Sequence, residues 1–294
     1  IDLATGHPYA DDSPRFMENW EWTTGRSADE IAAYMAYALR ILKEVGLPCE
    51  GVTTPGGFGN RALPQLAQAS GEALREVFQT EIPHYFRHVV DEGDASVAPR
   101  VENVRGLGGA DPRCVVSIIA CTGDWTGGWD CSEPVGADRF ITADGRRGRL
   151  VEVIERGEPA ILLAHWTGVY WNGQKRGLEI FREVVRRLHQ RFDHLQWMRL
   201  SEIARYWAAR ELTRMAVSGD GIRFDAPFAC PMFTVRSNAV PSGAVRWQGG
   251  TAGLALREVE RAADLRSGCW RRVPGGGEFC VDLPKGTSRL EWRA

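Results

Sequence analysis

Apolar residues recur at helical spacing in three parts of the chain. The clearest is Ser27 to Gly46, where Ser27 and Glu30 form a capping box and apolar residues follow on one face. Two further segments, Leu63 to Phe78 and Leu178 to Phe192, show the same one-sided pattern. The pattern therefore predicts three amphipathic helices.

Continuous apolar runs predict strands that are buried on both faces. Cys114 to Cys121 (CVVSIIAC) and Ala160 to Ala164 (AILLA) are runs of this kind. Cys49 to Thr53 and Leu195 to Met198 are shorter strand candidates, and a final helix is expected from Ser201 to about Trp207. Strands that alternate with helices are typical of parallel α/β folds, so the first two thirds of the chain are predicted to form an α/β domain.

The pattern changes after Leu212. Short segments of alternating polarity are separated there by turn residues such as Ser218 to Gly221 and Pro274 to Gly277. This predicts an antiparallel β-sandwich. We therefore expect two domains, an α/β domain over residues 1–208 and an all-β sandwich over residues 209–294. The strand candidates are Met215–Val217, Ile222–Phe224, Phe233–Val235, Leu254–Arg257, Gly268–Arg272, Glu278–Val281 and Ser288–Trp292.

Composition narrows the class of protein. The chain is 44% apolar and 25% charged, which is typical of a globular protein. Its net charge of -2 offers no electrostatic reason to expect nucleic acid or an anionic membrane as a partner. The seven cysteines form no CxxC pair, so the usual zinc-ribbon spacing is absent. Several of the eleven tryptophans cluster beside Gly and Asp; sugar binding is one explanation, and ordinary core packing is the other.

Three predicted strands end in loops that combine glycine with polar and aromatic residues. The loops are TTPGGFG at 53–59, TGDWTGGWD at 122–130 and AHWTGVYW at 164–171. Loops that follow parallel strands in a barrel lie at the same end of the fold. We therefore expect His165, Asp124, Trp125 and Pro55 to converge on one concave face.

His165 and Asp124 are the candidate catalytic residues. His165 directly follows a buried strand, and an imidazole there is suited to protonate a leaving group near neutral pH. Asp124 could orient this histidine or hold a sugar hydroxyl. The alternatives are a structural histidine and an Asx-turn at the head of a glycine loop. The candidate substrate-binding residues are Pro55, Gly56, Gly57, Phe58, Trp125, Trp129, Asp130, Trp166 and Tyr170.

The glycine-rich loop and two histidine clusters carry further candidate chemistry. Pro55 to Gly59 is not a phosphate loop, because GxxxxGK[ST] is absent; it predicts a substrate wall with backbone donors, or a plain turn. His7 with Asp11-Asp12 has metal-ligand chemistry but lies in a loop-like segment. His84 and His88 would share one face of a helix, although a neighbouring proline argues against a helix there.

Together the motifs resemble the polysaccharide deacetylase family, also called carbohydrate esterase family 4. TTPGGFG is similar to the third motif of that family, TGDWTGGWD to the fourth, and Leu163-Ala164-His165 to the fifth, LxH. Trp197 to Ile203 is similar to the family's final strand and helix, and the resemblance covers about residues 18–207. The resemblance implies a distorted (β/α)7 barrel, a groove between the third and fourth motifs, and His165 as the catalytic acid.

The chain departs from the family's pattern in two ways. Thr53 stands where the third motif has arginine, and the first two motifs, which supply a catalytic aspartate and the metal ligands, are not found. The resemblance also implies a divalent metal, with zinc as the expected ion. We expect the first strand and the metal ligands to lie upstream of Ile1. The barrel of this chain would then be incomplete, with little tightly bound metal and near-background deacetylation.

Two functions from different classes fit these observations. The first is a metal-dependent hydrolase that removes acyl groups, bound as amides or esters, from a carbohydrate. The second is a non-catalytic carbohydrate-binding protein that keeps the tryptophan-lined groove and has lost the metal. A carbohydrate is the expected partner in both cases.

Overall fold

The computed structural model divides the chain into two compact units. The first comprises Ile1–Asn103 and Val115–Phe192, and the second comprises Val104–Cys114 and Asp193–Ala294. The domain boundary expected at residue 208 stays a prediction. The structure describes residues 22–54, 56–124, 135–238, 241, 243–249 and 253–292.

Two helices of the first unit pack against each other, and both confirm the sequence pattern. Helix α1 (Ala28–Glu44) begins at the predicted capping box, where the Glu30 N–H donates to Ser27 Oγ at 3.2 Å and the Ser27 N–H donates to the Glu30 carboxylate at 2.8 Å. Helix α2 spans Leu63–Phe78. The two helices pack together through buried apolar residues that include Ile31, Leu66 and Leu74.

A four-stranded sheet lies against these helices. Its strands are β1 (Gly51–Val52), β2 (His84–Val89), β3 (Arg100–Arg105) and β4 (Arg113–Ala120), in the order β1-β2-β4-β3. Strand β2 pairs in parallel with both β1 and β4. Strand β4 is buried along almost its whole length, as the apolar run CVVSIIAC predicts.

The rest of the first unit contains a second, short sheet. Strands β5 (Thr122–Asp124) and β6 (Leu162–Leu163) pair in parallel, and the Cys121 N–H donates to the carbonyl of Ile161 at 2.8 Å. Among the described residues the sheets form no closed barrel, so the chain is a mixed α/β protein with several sheets. The remaining helices of this unit are α3 (Arg149–Glu155), α4 (Trp166–Tyr170) and α5 (Arg176–Arg191).

The second unit contains helix α6 (Leu200–Leu212) and two sheets. One sheet has the order β11-β10-β15-β8-β7 with antiparallel pairing, and the other has the order β12-β13-β14-β9. Aromatic rings from both sheets meet in the core, as in the edge-to-face contact of Phe224 and Phe233 at 6.3 Å between ring centroids. The strands are β7 (Arg214–Ser218), β8 (Gly221–Ala226), β9 (Cys230–Ser237), β10 (Arg246–Gln248), β11 (Gly253–Ala255), β12 (Arg257–Glu258), β13 (Cys269–Val273), β14 (Gly276–Leu283) and β15 (Gly286–Glu291).

Three local predictions were wrong. Leu195 to Met198 is not a strand, because it pairs with no other strand among the described residues. Helix α6 begins at Leu200 rather than after Ser201, because the Glu202 carboxylate accepts the Arg199 N–H at 2.7 Å. The single strand expected over Leu254 to Arg257 is two strands in different sheets, since the chain crosses from one sheet to the other at the buried Leu256.

None of the helices in the described ranges combines the length and the apolar character that a bilayer span requires.

Candidate functional site

Asp124 and His165 lie at the ends of two neighbouring parallel strands and contact each other. Asp124 is the last residue of β5, and His165 follows β6 by two positions. The distance from Asp124 Oδ2 to His165 Nδ1 is 2.5 Å, and the His165 backbone N–H donates to Asp124 Oδ1 at 3.4 Å. Both oxygens of the carboxylate therefore hold the histidine.

The two side chains differ in their access to solvent. The Asp124 side chain is 13% exposed and the His165 side chain is 53% exposed. A shielded carboxylate interacts more strongly with a histidine than an exposed one, because less water screens the pair. Since Nδ1 faces the carboxylate, this contact favours the tautomer that carries its proton on Nδ1.

Two aromatic residues on the short helix after His165 present large surfaces to solvent. Trp166 is 74% exposed and Tyr170 is 58% exposed. Both were predicted substrate-binding residues, and the structure places Trp166 beside the histidine in the chain and Tyr170 one helical turn later. The flat faces of such rings suit the C–H faces of sugar rings.

Asp91 is a third polar residue at this site, and the sequence analysis missed it. It follows the end of β2, and a Cβ placed on Gly123 would lie 3.0 Å from Asp91 Oδ2. Gly123 therefore lets this second carboxylate approach the backbone next to Asp124. The Asp91 carboxylate also forms an ion pair with Arg139 at 3.6 Å. The sequence offered no usable signal for Asp91, because no strand was predicted over residues 84–89 and so no strand end pointed to this carboxylate.

Arg149 donates hydrogen bonds to the chain segments that follow two of these strands. The sequence analysis also missed this residue. Its buried guanidinium donates to the carbonyls of Cys121 at 3.1 Å, Gly93 at 2.8 Å and Val90 at 2.8 Å. These carbonyls belong to the segments that follow β2 and β4. Arg149 thus ties together the two chain segments that carry Asp91 and Asp124. No sequence signal separates this arginine from the others, because its three partners lie far away in the chain.

The glycine-rich loop is placed differently from the other predicted site residues. Gly56 and Gly57 lie in a turn, whereas Phe58 is only 3% exposed and packs on Trp22 and Tyr34. Phe58 is therefore part of the core between α1 and α2. Pro55, Trp125, Trp129 and Asp130 lie outside the described residues, as do the metal candidates His7, Asp11 and Asp12.

Replacement of Gly59 at the end of this loop is expected to destabilise the first unit. Gly59 has a φ of +78°, and an added Cβ would lie 2.6 Å from Leu66 Cδ2. Gly59→Ala therefore combines backbone strain with a core clash, for an expected loss of about 2–4 kcal/mol in the free energy of unfolding measured in urea.

Gly25→Ala is the matched control for this prediction. Gly25 has the same φ of +78°, but nothing lies within 4 Å of its added Cβ. This variant should lose only about 1–2 kcal/mol in the free energy of unfolding, the part that comes from backbone strain. Equal losses in the two variants would contradict the clash with Leu66.

The described residues do not fit the divalent metal that the resemblance implies. Within the described ranges no group of three His, Cys, Asp or Glu side chains is placed to hold a metal ion. His84 and His88 lie on β2, where a register shift pairs His84 with Val116 and His88 with Ile119, so the two histidines point to opposite faces of the sheet. Burial lowers the pKa of the His84 imidazole. We derive no step of a reaction through a metal.

Comparisons of the chain with known protein families, with curated proteins and with solved structures give no match.

Proposed function

We propose that Asp124 and His165 form the acid–base pair of a hydrolase that removes acyl groups from a carbohydrate. The observation that carries the proposal is the 2.5 Å contact between Asp124 Oδ2 and His165 Nδ1 at the ends of two parallel strands. A general acid needs a ring nitrogen directed at the substrate and a partner that holds the ring in place. The Asp124 carboxylate supplies the second requirement.

The chemistry assigned to His165 is proton transfer. In its protonated form the imidazole donates from Nε2 to the departing nitrogen or oxygen of the sugar as the bond to the acyl carbon breaks. Water supplies the oxygen that the acyl group gains and loses a proton to the solvent. The neutral imidazole takes up a proton again before the next turnover, so the net reaction is a hydrolysis. The Asp124 carboxylate stabilises the imidazolium before transfer and keeps the proton of the neutral ring on Nδ1 afterwards.

Two further observations support a carbohydrate as the substrate. Trp166 and Tyr170 expose their rings on the helix that follows His165 in the chain, and Asp91 adds a carboxylate that can accept hydrogen bonds from sugar hydroxyls. The order of the three motifs along the chain resembles the polysaccharide deacetylases. That family's barrel and divalent metal are part of this proposal, with metal ligands other than the residues that the structure describes.

The test is acyl release by the complete gene product that contains these 294 residues. We expect acetate to be released from acetylated oligosaccharides, and His165→Gln to reduce the rate by about 10²–10⁴-fold, the usual contribution of a general acid. His194→Gln is the matched control, because His194 is an exposed histidine of the second unit. A His165→Gln rate equal to that of the wild type would reject the proposal.

A non-catalytic carbohydrate-binding protein is the second candidate, and the exposed rings of Trp166 and Tyr170 favour it equally. Tryptophan fluorescence separates the two functions. Saturable binding of an oligosaccharide that Trp166→Ala abolishes, without any acetate release by the wild type, would establish the binding protein and exclude the hydrolase.

A further inference from the structure

Two cysteines lie opposite each other in the second unit. Strands β13 and β14 pair in antiparallel orientation, and their register places Cys269 directly opposite Cys280. Both residues are free thiols in the structure. The Cα atoms of opposite residues in an antiparallel pair lie about 4.5–5.5 Å apart, within the range of about 4.4–6.8 Å that a disulfide spans. A disulfide can therefore form here without a change in strand pairing.

The two cysteines lie at the open end of a β-hairpin. They form the outermost of five cross-strand pairs between β13 and β14, and Val273 opposite Gly276 is the innermost. Pro274 and Gly275 connect the strands, and Gly275 has a φ of +76°, which glycine adopts without a steric penalty. A bond between the cysteines would thus fix the hairpin at the end opposite its turn.

The two sulfur atoms differ in their surroundings. Arg257 lies beside Cys269 on the neighbouring strand β12, and its Nη2 donates to Cys269 Sγ at 3.8 Å. A guanidinium next to a sulfur stabilises the thiolate, which is the reactive form of cysteine. Burial raises the pKa of the Cys280 thiol. These surroundings favour Cys269 as the sulfur that reacts first and Cys280 as the sulfur that reacts second.

Burial limits the oxidants that suit this pair. Cys269 is 3% exposed and Cys280 is 1% exposed. A bulky disulfide such as oxidised glutathione would have to displace the surrounding chain to reach either sulfur. Hydrogen peroxide is close to water in size, so local opening at the end of the hairpin gives it access. A peroxide is therefore the class of oxidant that fits the site.

We infer that Cys269 and Cys280 form a reversible disulfide when the protein meets a peroxide. The Cys269 thiolate attacks one peroxide oxygen, the O–O bond breaks, and Cys269 becomes a sulfenic acid as hydroxide leaves. The deprotonated Cys280 sulfur then attacks the Cys269 sulfur and expels a second hydroxide as the S–S bond forms. The protons of the two thiols convert both hydroxides to water. A thiol reductant restores both cysteines and is itself oxidised to a disulfide.

The expected consequence is a second unit that oxidation stabilises. Strands β13 and β14 are the two central strands of their sheet, so a bond between them joins the middle of that sheet. A disulfide restricts the opened chain, and the hairpin that it closes should therefore open less often. This inference concerns a different unit from Asp124 and His165 and does not depend on the proposed hydrolase.

The experiment treats the complete gene product with hydrogen peroxide, blocks the remaining thiols by alkylation and digests the protein with trypsin without reduction. Cleavage after arginine and lysine gives Ser267–Arg271, which carries Cys269, and Val273–Lys285, which carries Cys280. We expect mass spectrometry to find these two peptides joined, and dithiothreitol to separate them. Amide hydrogen exchange in β13 and β14 should be slower by about 10-fold or more in the oxidised than in the reduced protein.

Variants of the two cysteine environments make the test specific. Cys269→Ser should form no joined peptides and show no change in amide exchange with peroxide. Cys230→Ala is the matched control and should form the link as the wild type does, because Cys230 is a buried cysteine of the same sheet that lies opposite Leu283. Arg257→Gln should slow link formation by about threefold or more, because it removes the cation beside Cys269.

Arg223→Gln is the control for the arginine variant, with the same charge change on an exposed residue of the other sheet. It should leave the rate within about twofold of the wild type, since an exposed charge far from the sulfur is screened. Wild-type protein that forms no joined peptides would overturn the inference. So would a link from Cys280 to Cys230, oxidation of Cys269 to the sulfinic acid with Cys280 left as a thiol, or link formation in Arg257→Gln as fast as in the wild type.

Discussion

Asp124→Asn is expected to lower kcat for acyl release by about 10²–10⁴-fold while KM changes little, because the carboxylate acts through the histidine rather than on the substrate. The substitution keeps the size of the side chain, but its amide can donate to Nδ1 of His165. The neutral ring is then held with its proton on Nε2, and the imidazolium loses its counter-charge. Steady-state assays on an acetylated oligosaccharide give both constants.

Two measurements make this prediction specific. Asp29→Asn makes the same chemical change on an exposed residue of α1 and should leave kcat within about twofold, as most surface changes do. The ¹⁵N shifts of the His165 ring should show the Nδ1–H form in the wild type and the Nε2–H form in Asp124→Asn. An unchanged tautomer and an unchanged kcat would together show that Asp124 has no part in positioning His165.

Arg149→Met is expected to cause the largest loss of stability of any single substitution proposed for the first unit. The methionine fills a similar volume but donates no hydrogen bond, so the carbonyls of Val90, Gly93 and Cys121 lose the donor that the buried Arg149 supplies. Loss of one partner from a buried charged network destabilises by about 3–5 kcal/mol, a large part of the 5–15 kcal/mol that is typical for a folded domain. Urea denaturation measures the difference.

A graded pair of variants tests the cause of this loss. Arg149→Lys keeps the charge but cannot reach three carbonyls at once. Its free energy of unfolding should therefore lie between those of the wild type and Arg149→Met. Arg146→Met, at an exposed position three residues earlier, should stay within about 0.5 kcal/mol of the wild type. If Arg149→Lys and Arg149→Met lost the same stability, the charge at position 149 would contribute nothing. The hydrogen bonds to the three carbonyls would then account for the whole loss.

The sequence by itself determined most of the local structure. Helix α1 begins at the capping box because Ser27 and Glu30 are close enough in the chain to bond each other directly. Helix α2 and strand β4 follow from the spacing of their apolar residues, which decides which face a segment buries. Apart from Leu254 to Arg257, the predicted strands of the second unit follow from alternation in the same way. Strand β10 (Arg246–Gln248) was not among the predicted strands, and its pairing with β15 joins segments that are distant in the chain.

Only the tertiary structure decided which residues meet. The sequence predicted that Asp124 and His165 would lie at the same end of the fold, but their direct contact spans 41 positions and depends on the pairing of β5 with β6. Phe58 was assigned to a substrate wall, and the packing of α1 on α2 buried it instead. Capping and periodicity act within a few residues and can be recognised in the sequence. Contacts between distant residues depend on how whole elements pack, and no local pattern encodes that packing.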